Sequence, residues 1–76
     1  MNTGIYALIK PYTEEGYEGY CYQYTWNDHY GIYDKMMELT GSDHEISCDA
    51  ASWCELATVG EIYEFREGEI EIVEID

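Results

Sequence analysis

The side chains with the most versatile chemistry are two histidines and three cysteines, and their spacing builds no familiar site. His44, Cys48 and Cys54 follow an H-x3-C-x5-C pattern. With His29 they supply zinc-type ligands, but the pattern matches no common zinc module, so no metal site is expected. Cys48 is expected as a small buried residue rather than a reactive thiol. Seventeen Asp and Glu residues are so abundant that no pair stands out as an acid/base dyad. The P-loop, GxGxxG, HExxH, GxSxG, paired CxxC and EF-hand patterns are absent from the sequence. A thin core also leaves little room for a catalytic pocket. The expectation is a binding protein, not an enzyme, with no cofactor.

The chemistry that remains is electrostatic. Only Lys10, Lys35 and Arg66 oppose the seventeen acids, and the formal charge is −14 over 76 residues. Such a charge resists compaction through self-repulsion. Disorder also requires low hydrophobicity, whereas 46% of these residues are apolar and 16% aromatic. The chain, residues 1–76, is expected to fold as one small acidic domain that buries roughly 60% of its unfolded surface. Nucleic acid and anionic lipid should repel it. Basic proteins, divalent cations and polyamines should attract it.

The N-terminus shows no basic stretch followed by an apolar one, and no apolar run approaches the roughly 18 residues of a membrane span. The odd, uneven cysteines argue against a disulfide framework. On one helix, Cys48 and Cys54 would stand about 9 Å apart along the axis, too far for a disulfide. Reduced thiols in a cytoplasm are expected, in a host cell if the chain is phage-encoded.

The elements that must position the acids can be read from periodicity. Residues Gly4–Lys10 form an apolar, β-prone run that Pro11 is expected to stop. Tyr12–Gly19 reads as a turn. Gly19–Trp26 alternates, with Tyr20, Tyr22, Tyr24 and Trp26 on one side and Cys21, Gln23 and Thr25 on the other. Asn27 or Asp28 can cap a helix through Ile32, Tyr33, Met36, Met37, Leu39 and Thr40, with Gly41 at C′. After a polar connection at Ser42–Ile46, Ser47 reads as the N-cap of a second helix. Its stripe is Ala50, Trp53, Cys54 and Ala57, and Gly60 ends it.

Glu61–Glu67 and Glu69–Asp76 read as a hairpin with Glu67-Gly68 as the turn and Gly68 at positive φ. The order is β-β-α-α-β-β, an α+β fold with two helices on one face of a small antiparallel sheet. The last strand is a possible open edge for a weak dimer; otherwise the chain is a monomer.

This hairpin register puts Glu64 opposite Glu71, about 5 Å apart at Cβ. Two like charges at that distance repel by roughly 1 kcal/mol in water. Arg66 is the only local relief. Edge charges also deter sheet-to-sheet aggregation, so one such glutamate has an ordinary explanation. The set as a whole, Glu64, Glu69, Glu71 and Glu74, has almost no compensating lysine. Successive carboxylates along a strand face stand about 6.5–7 Å apart, comparable in scale with DNA phosphates at about 3.4 Å per strand step. Glu14, Glu15 and Glu18 extend the candidate patch, and Asp43, Glu45 and Asp49 suggest a second. Of nine tyrosines, Tyr12, Tyr17 and Tyr30 lie outside the alternating patterns and are candidate interface residues.

In size, charge and charge placement the whole chain resembles the small acidic DNA-mimic inhibitors of phages and mobile elements, the anti-CRISPR and antirestriction proteins. The resemblance is to a functional class, with no family motif. It implies binding to the basic nucleic-acid channel of a defence complex such as a CRISPR effector, and exclusion of target DNA. The alternative is a small regulatory or adaptor domain that uses a Tyr/Trp surface. A third reading is a divalent-cation module. Reversal of Glu64, Glu69 and Glu71 to lysine is expected to abolish inhibition and leave the fold intact.

Overall fold

The computed structural model describes residues 4–13, 16–17 and 22–75. Strands β1 (Gly4–Thr13), β2 (Gly16–Tyr17) and β3 (Tyr22–Thr25) precede helices α1 (His29–Leu39) and α2 (His44–Leu56), and β4 (Ile62–Phe65) and β5 (Gly68–Ile75) close the chain. This is the expected α+β order, with β2 a short extension of the first hairpin. All pairings are antiparallel. Across the sheet the strands run β3, β1, β5, β4, with β2 continuing on the β3 side of β1.

Both helices cover one face. Ala7 and Ile9 of β1 and Ile70 and Ile72 of β5 are fully buried with Ile32, Met36, Ala50, Ala51 and Cys54 of the helices. Tyr22, Tyr24 and Trp26 pack against this cluster, as the alternation of the second strand predicts. Trp26 Nε1 donates to the Ala57 carbonyl over 2.7 Å, so the polar end of its half-buried ring is satisfied. Cys48 and Cys54 are both free. Cys54 is buried, but Cys48 is only half-buried, contrary to expectation.

Strand β1 runs three residues past its expected end. The Tyr12 amide donates to the Glu67 carbonyl on the β5 side. Along a strand these groups alternate in direction, so Pro11 faces the other side. There the register shifts by two residues between the Ile9–Tyr22 and Tyr12–Tyr17 pairs. A missing N–H is tolerated at such an interruption.

Helix α1 starts as expected, with the Asp28 carboxylate accepting from the Gly31 amide. It ends with Gly41 at φ 69° and the Ser42 amide donating to the Met37 carbonyl, a Schellman closure. Helix α2 begins earlier than expected. Asp43, not Ser47, is its N-cap and accepts from the Ile46 amide over 3.1 Å. Ser47 is fully buried inside the helix, where its hydroxyl donates to the Asp43 carbonyl. The helix ends at Leu56 with Ala57 as C-cap, ahead of Gly60. Asp43→Ala is therefore expected to cost about 1 kcal/mol, a loss that Asp43→Asn largely avoids; urea unfolding midpoints check this.

The C-terminal hairpin corrects the expected register by two residues. Phe65 pairs with Gly68, so Arg66 and Glu67 are the turn. Glu64 stands opposite Glu69, and Glu71 opposite Ile62. A two-residue shift preserves the faces, so Tyr63 and Phe65 still face the core. Gly68 does not have a positive φ; its role is a close approach to β1. A Cβ there would lie 2.8 Å from Pro11 Cα and closer still to the Lys10 carbonyl oxygen. The last strand is not an open edge: β5 lies between β1 and β4, which removes the expected route to a dimer.

Candidate acidic interface on the helix-free sheet face

The helices leave one face of the sheet uncovered. By strand alternation it presents Tyr6, Leu8, Lys10 and Tyr12 from β1, Glu69, Glu71 and Val73 from β5, and Ile62 and Glu64 from β4. Register turns these into rows. Glu64, Glu69 and Lys10 lie side by side on β4, β5 and β1. The next row is Ile62, Glu71 and Leu8, and Val73 and Tyr6 follow. The face is thus acidic toward the hairpin turn and apolar toward the other end.

The structure brings Glu64, Glu69, Glu71 and Tyr12 together and separates Glu74 from them. Glu74 pairs with Ile5 and alternates onto the side of Ile70 and Ile72, where it is exposed. Glu14, Glu15, Glu18 and the Tyr17 side chain lie outside the described residues. Tyr30 is exposed on α1, on the helical side of the sheet.

The cross-strand repulsion belongs to Glu64 and Glu69, and its relief is not Arg66. Arg66 Nη2 pairs with Glu67 within the turn at 2.7 Å. Lys10 stands opposite Glu69 and bonds Glu71. The sequence could not show this, because Lys10 and Glu71 are 61 residues apart in the chain and only the fold makes them neighbours. Tyr12 donates from its hydroxyl to Glu69 Oε1 over 3.0 Å. That bond, with a smaller effect of desolvation and of the Glu69 and Glu64 charges, raises the Tyr12 pKa. Among these carboxylates Glu64 is exposed, whereas Glu69 and Glu71 are half-buried.

The second expected patch disperses into local roles. Asp43 caps α2. Asp49 accepts from the Tyr63 hydroxyl over 2.8 Å, tying α2 to β4. Desolvation, then this bond, pushes the Tyr63 pKa to about 12, and burial does the same to the Cys54 thiol. Both groups stay neutral in the fold where the unfolded chain would ionise. Their stabilisation is complete below pH 9 and is lost as pH rises toward 12. Tyr63→Phe is expected to make the alkaline loss of structure shallower, followed by circular dichroism against pH.

Comparison with family models, with curated proteins and with solved structures finds no match. No helix among the described residues is long and apolar enough to cross a membrane.

Proposed function

We propose that this protein is a non-enzymatic inhibitor that docks the helix-free sheet face into the basic nucleic-acid channel of a host defence complex of the CRISPR-effector kind and excludes target DNA. The observation that supports this most is the Glu64–Glu69 pair. Two glutamates stand opposite each other on adjacent strands, with Cβ atoms about 5 Å apart, on a face that no helix covers. A basic partner relieves that repulsion, and the gain appears only on binding. Glu69 and Glu71 repeat at about 6.5–7 Å along β5, close to two phosphate steps of about 3.4 Å. The sheet holds them in place before contact, so little ordering entropy is lost. Leu8, Val73 and Ile62 supply apolar contact beside the acids. With a formal charge of −14, approach to a cationic channel is steered and salt-sensitive.

The test is competition. Labelled duplex DNA is presented to guide-loaded CRISPR effector complexes with and without excess protein, and bound DNA is read by mobility shift. Loss of bound DNA for at least one effector supports the reading. Undiminished DNA binding across a panel with strongly basic channels contradicts it.

One observation favours an adaptor instead. Tyr30 is 81% and Leu56 86% exposed. They lie at the adjoining ends of α1 and α2, beside a His29–Glu55 approach of 3.7 Å. Binding through this apolar end would be insensitive to salt.

A further inference from the structure

A second surface does not depend on the inhibitor reading. Strand β4 ends the sheet, and among the described residues no strand pairs with its outer side. The phase of the ladder fixes what that side offers. The Gly60 amide donates to the Ile72 carbonyl, and the Ile72 amide donates to the Glu61 carbonyl. Bonded and non-bonded pairs alternate from there, so Tyr63 and Phe65 exchange bonds with Ile70 and Gly68. Ile62 and Glu64 therefore aim their N–H and C=O groups outward, away from β5. Their side chains are exposed on the helix-free face. On the other face an open groove of about 750 Å³ lies between this edge and α2, lined in part by Glu45, Ile46, Asp49, Ser52 and Tyr63. Glu45 and Asp49 are exposed and one turn apart on α2. Asp49 accepts from the Tyr63 hydroxyl, which holds its carboxylate beside the edge.

We infer that the β4 edge captures an extended basic peptide segment of a partner protein as an added strand. Backbone groups supply the pairing, and the acids on both faces choose the occupant. A strand laid on β4 sends alternate side chains to opposite faces. The one beside Tyr63 enters the groove, toward Asp49 and Glu45. Those beside Ile62 and Glu64 lie on the helix-free face, where Ile62 suits an apolar neighbour and Glu64 a basic one. In antiparallel order the fitting segment is therefore basic, basic, apolar. Arg66, next along the chain from Phe65, is held by Glu67 and does not neutralise the edge. A second copy of this chain is a poor occupant, because each copy carries −14 and would set its own acids beside Glu64. The charges that refuse a like edge admit a basic one. Glu64 and Ile62 could be read from the sequence, but not that β4 is the terminal strand.

The probe is the dye-labelled peptide Thr-Arg-Arg-Val-Thr, followed by fluorescence anisotropy. One peptide per chain is expected at saturation. Two N-methylated versions keep every side chain and charge. Methylation of the first arginine and the valine removes the N–H groups that face β4 and should weaken binding at least tenfold. Methylation of the second arginine, whose N–H faces away, should leave binding unchanged. With saturating peptide, amide exchange should slow at least tenfold at Ile62 and Glu64. Glu45→Gln with Asp49→Asn should weaken binding at least threefold; the asparagine oxygen can still accept from Tyr63, and circular dichroism confirms folding. Equal affinity of the two methylated peptides, unchanged exchange at Ile62 and Glu64, equal affinity of the double variant, or no saturable binding at millimolar peptide overturns the proposal. Exchange that slows at these two amides on concentrating the protein alone assigns the edge to a second copy and overturns it too. No effector or DNA enters this experiment, so its failure is distinct from failure of the inhibitor reading.

Discussion

Gly68→Ala is expected to lower the unfolding free energy by about 3 kcal/mol, at the upper end of the cost of overpacking a tight site. The added methyl would meet backbone atoms of Lys10 and Pro11 on β1, not the flexible end of a side chain. Backbone in the middle of a sheet can yield only if β1 and β5 separate, and their pairing from Gly4–Ile75 to Pro11–Gly68 is the longest in the fold. A domain of this size has about 4–11 kcal/mol of total stability. The variant should therefore unfold at a much lower urea concentration. The size of the effect distinguishes this from the expected turn role. Had Gly68 been a turn residue at positive φ, asparagine would rescue it; at a close approach, asparagine is as damaging as alanine.

The second large effect concerns binding, and the structure changes which substitutions can test it. Triple reversal of Glu64, Glu69 and Glu71 is no longer a clean experiment. Lysine at 71 would confront Lys10, its present partner, and lysine at 69 would lose the Tyr12 bond and also oppose Lys10. Glu64→Lys with Glu69→Gln avoids both problems. The glutamine oxygen can still accept from Tyr12, and Lys10 keeps Glu71. Inhibitor affinity for a responsive effector is expected to fall roughly 30-fold or more, which is about 2 kcal/mol. Glu64→Lys alone should stabilise the fold by up to about 1 kcal/mol, because an opposed like-charge pair becomes an ion pair. If these glutamates only deter sheet-to-sheet association, affinity stays unchanged while stability still rises. The two measurements together separate the explanations.

The face of each strand was legible in the sequence, whereas register and neighbours were not. Alternation of Tyr22, Tyr24 and Trp26 against Gln23 and Thr25 correctly placed the aromatic rings under the helices. The same period-2 pattern put Ile70 and Ile72 inside and Glu69 and Glu71 outside. Moving the turn by one residue slides the hairpin by two and leaves these faces intact, so alternation could not distinguish Glu67-Gly68 from Arg66-Glu67. Long-range contacts made that choice: the Tyr12 amide takes the Glu67 carbonyl, and Gly68 fits against Pro11. The start of α2 was ambiguous for a different reason. Asp43 and Ser47 are both good N-caps, and a serine inside a helical stripe looks like a boundary. Only its burial, with its hydroxyl satisfied by the Asp43 carbonyl, shows that it lies within the helix. The acidic site was half legible. Its glutamates were read from the sequence, but Lys10 at its centre and the apolar Leu8–Val73 half of the face required the β1–β5 pairing.

That pairing makes the −14 charge uneven in effect. Lys10 offsets part of the acidic face, Arg66 is taken up by Glu67, and Lys35 is paired with Glu38. The Glu64–Glu69 edge remains the place where a cationic partner gains most. The most direct test compares the salt dependence of affinity for a responsive effector between the unaltered protein and the Glu64→Lys/Glu69→Gln variant, from about 50 to 200 mM salt. The account predicts a steep loss of affinity with salt for the unaltered protein and a clearly shallower slope for the variant. Equal slopes would place the contact elsewhere on the molecule.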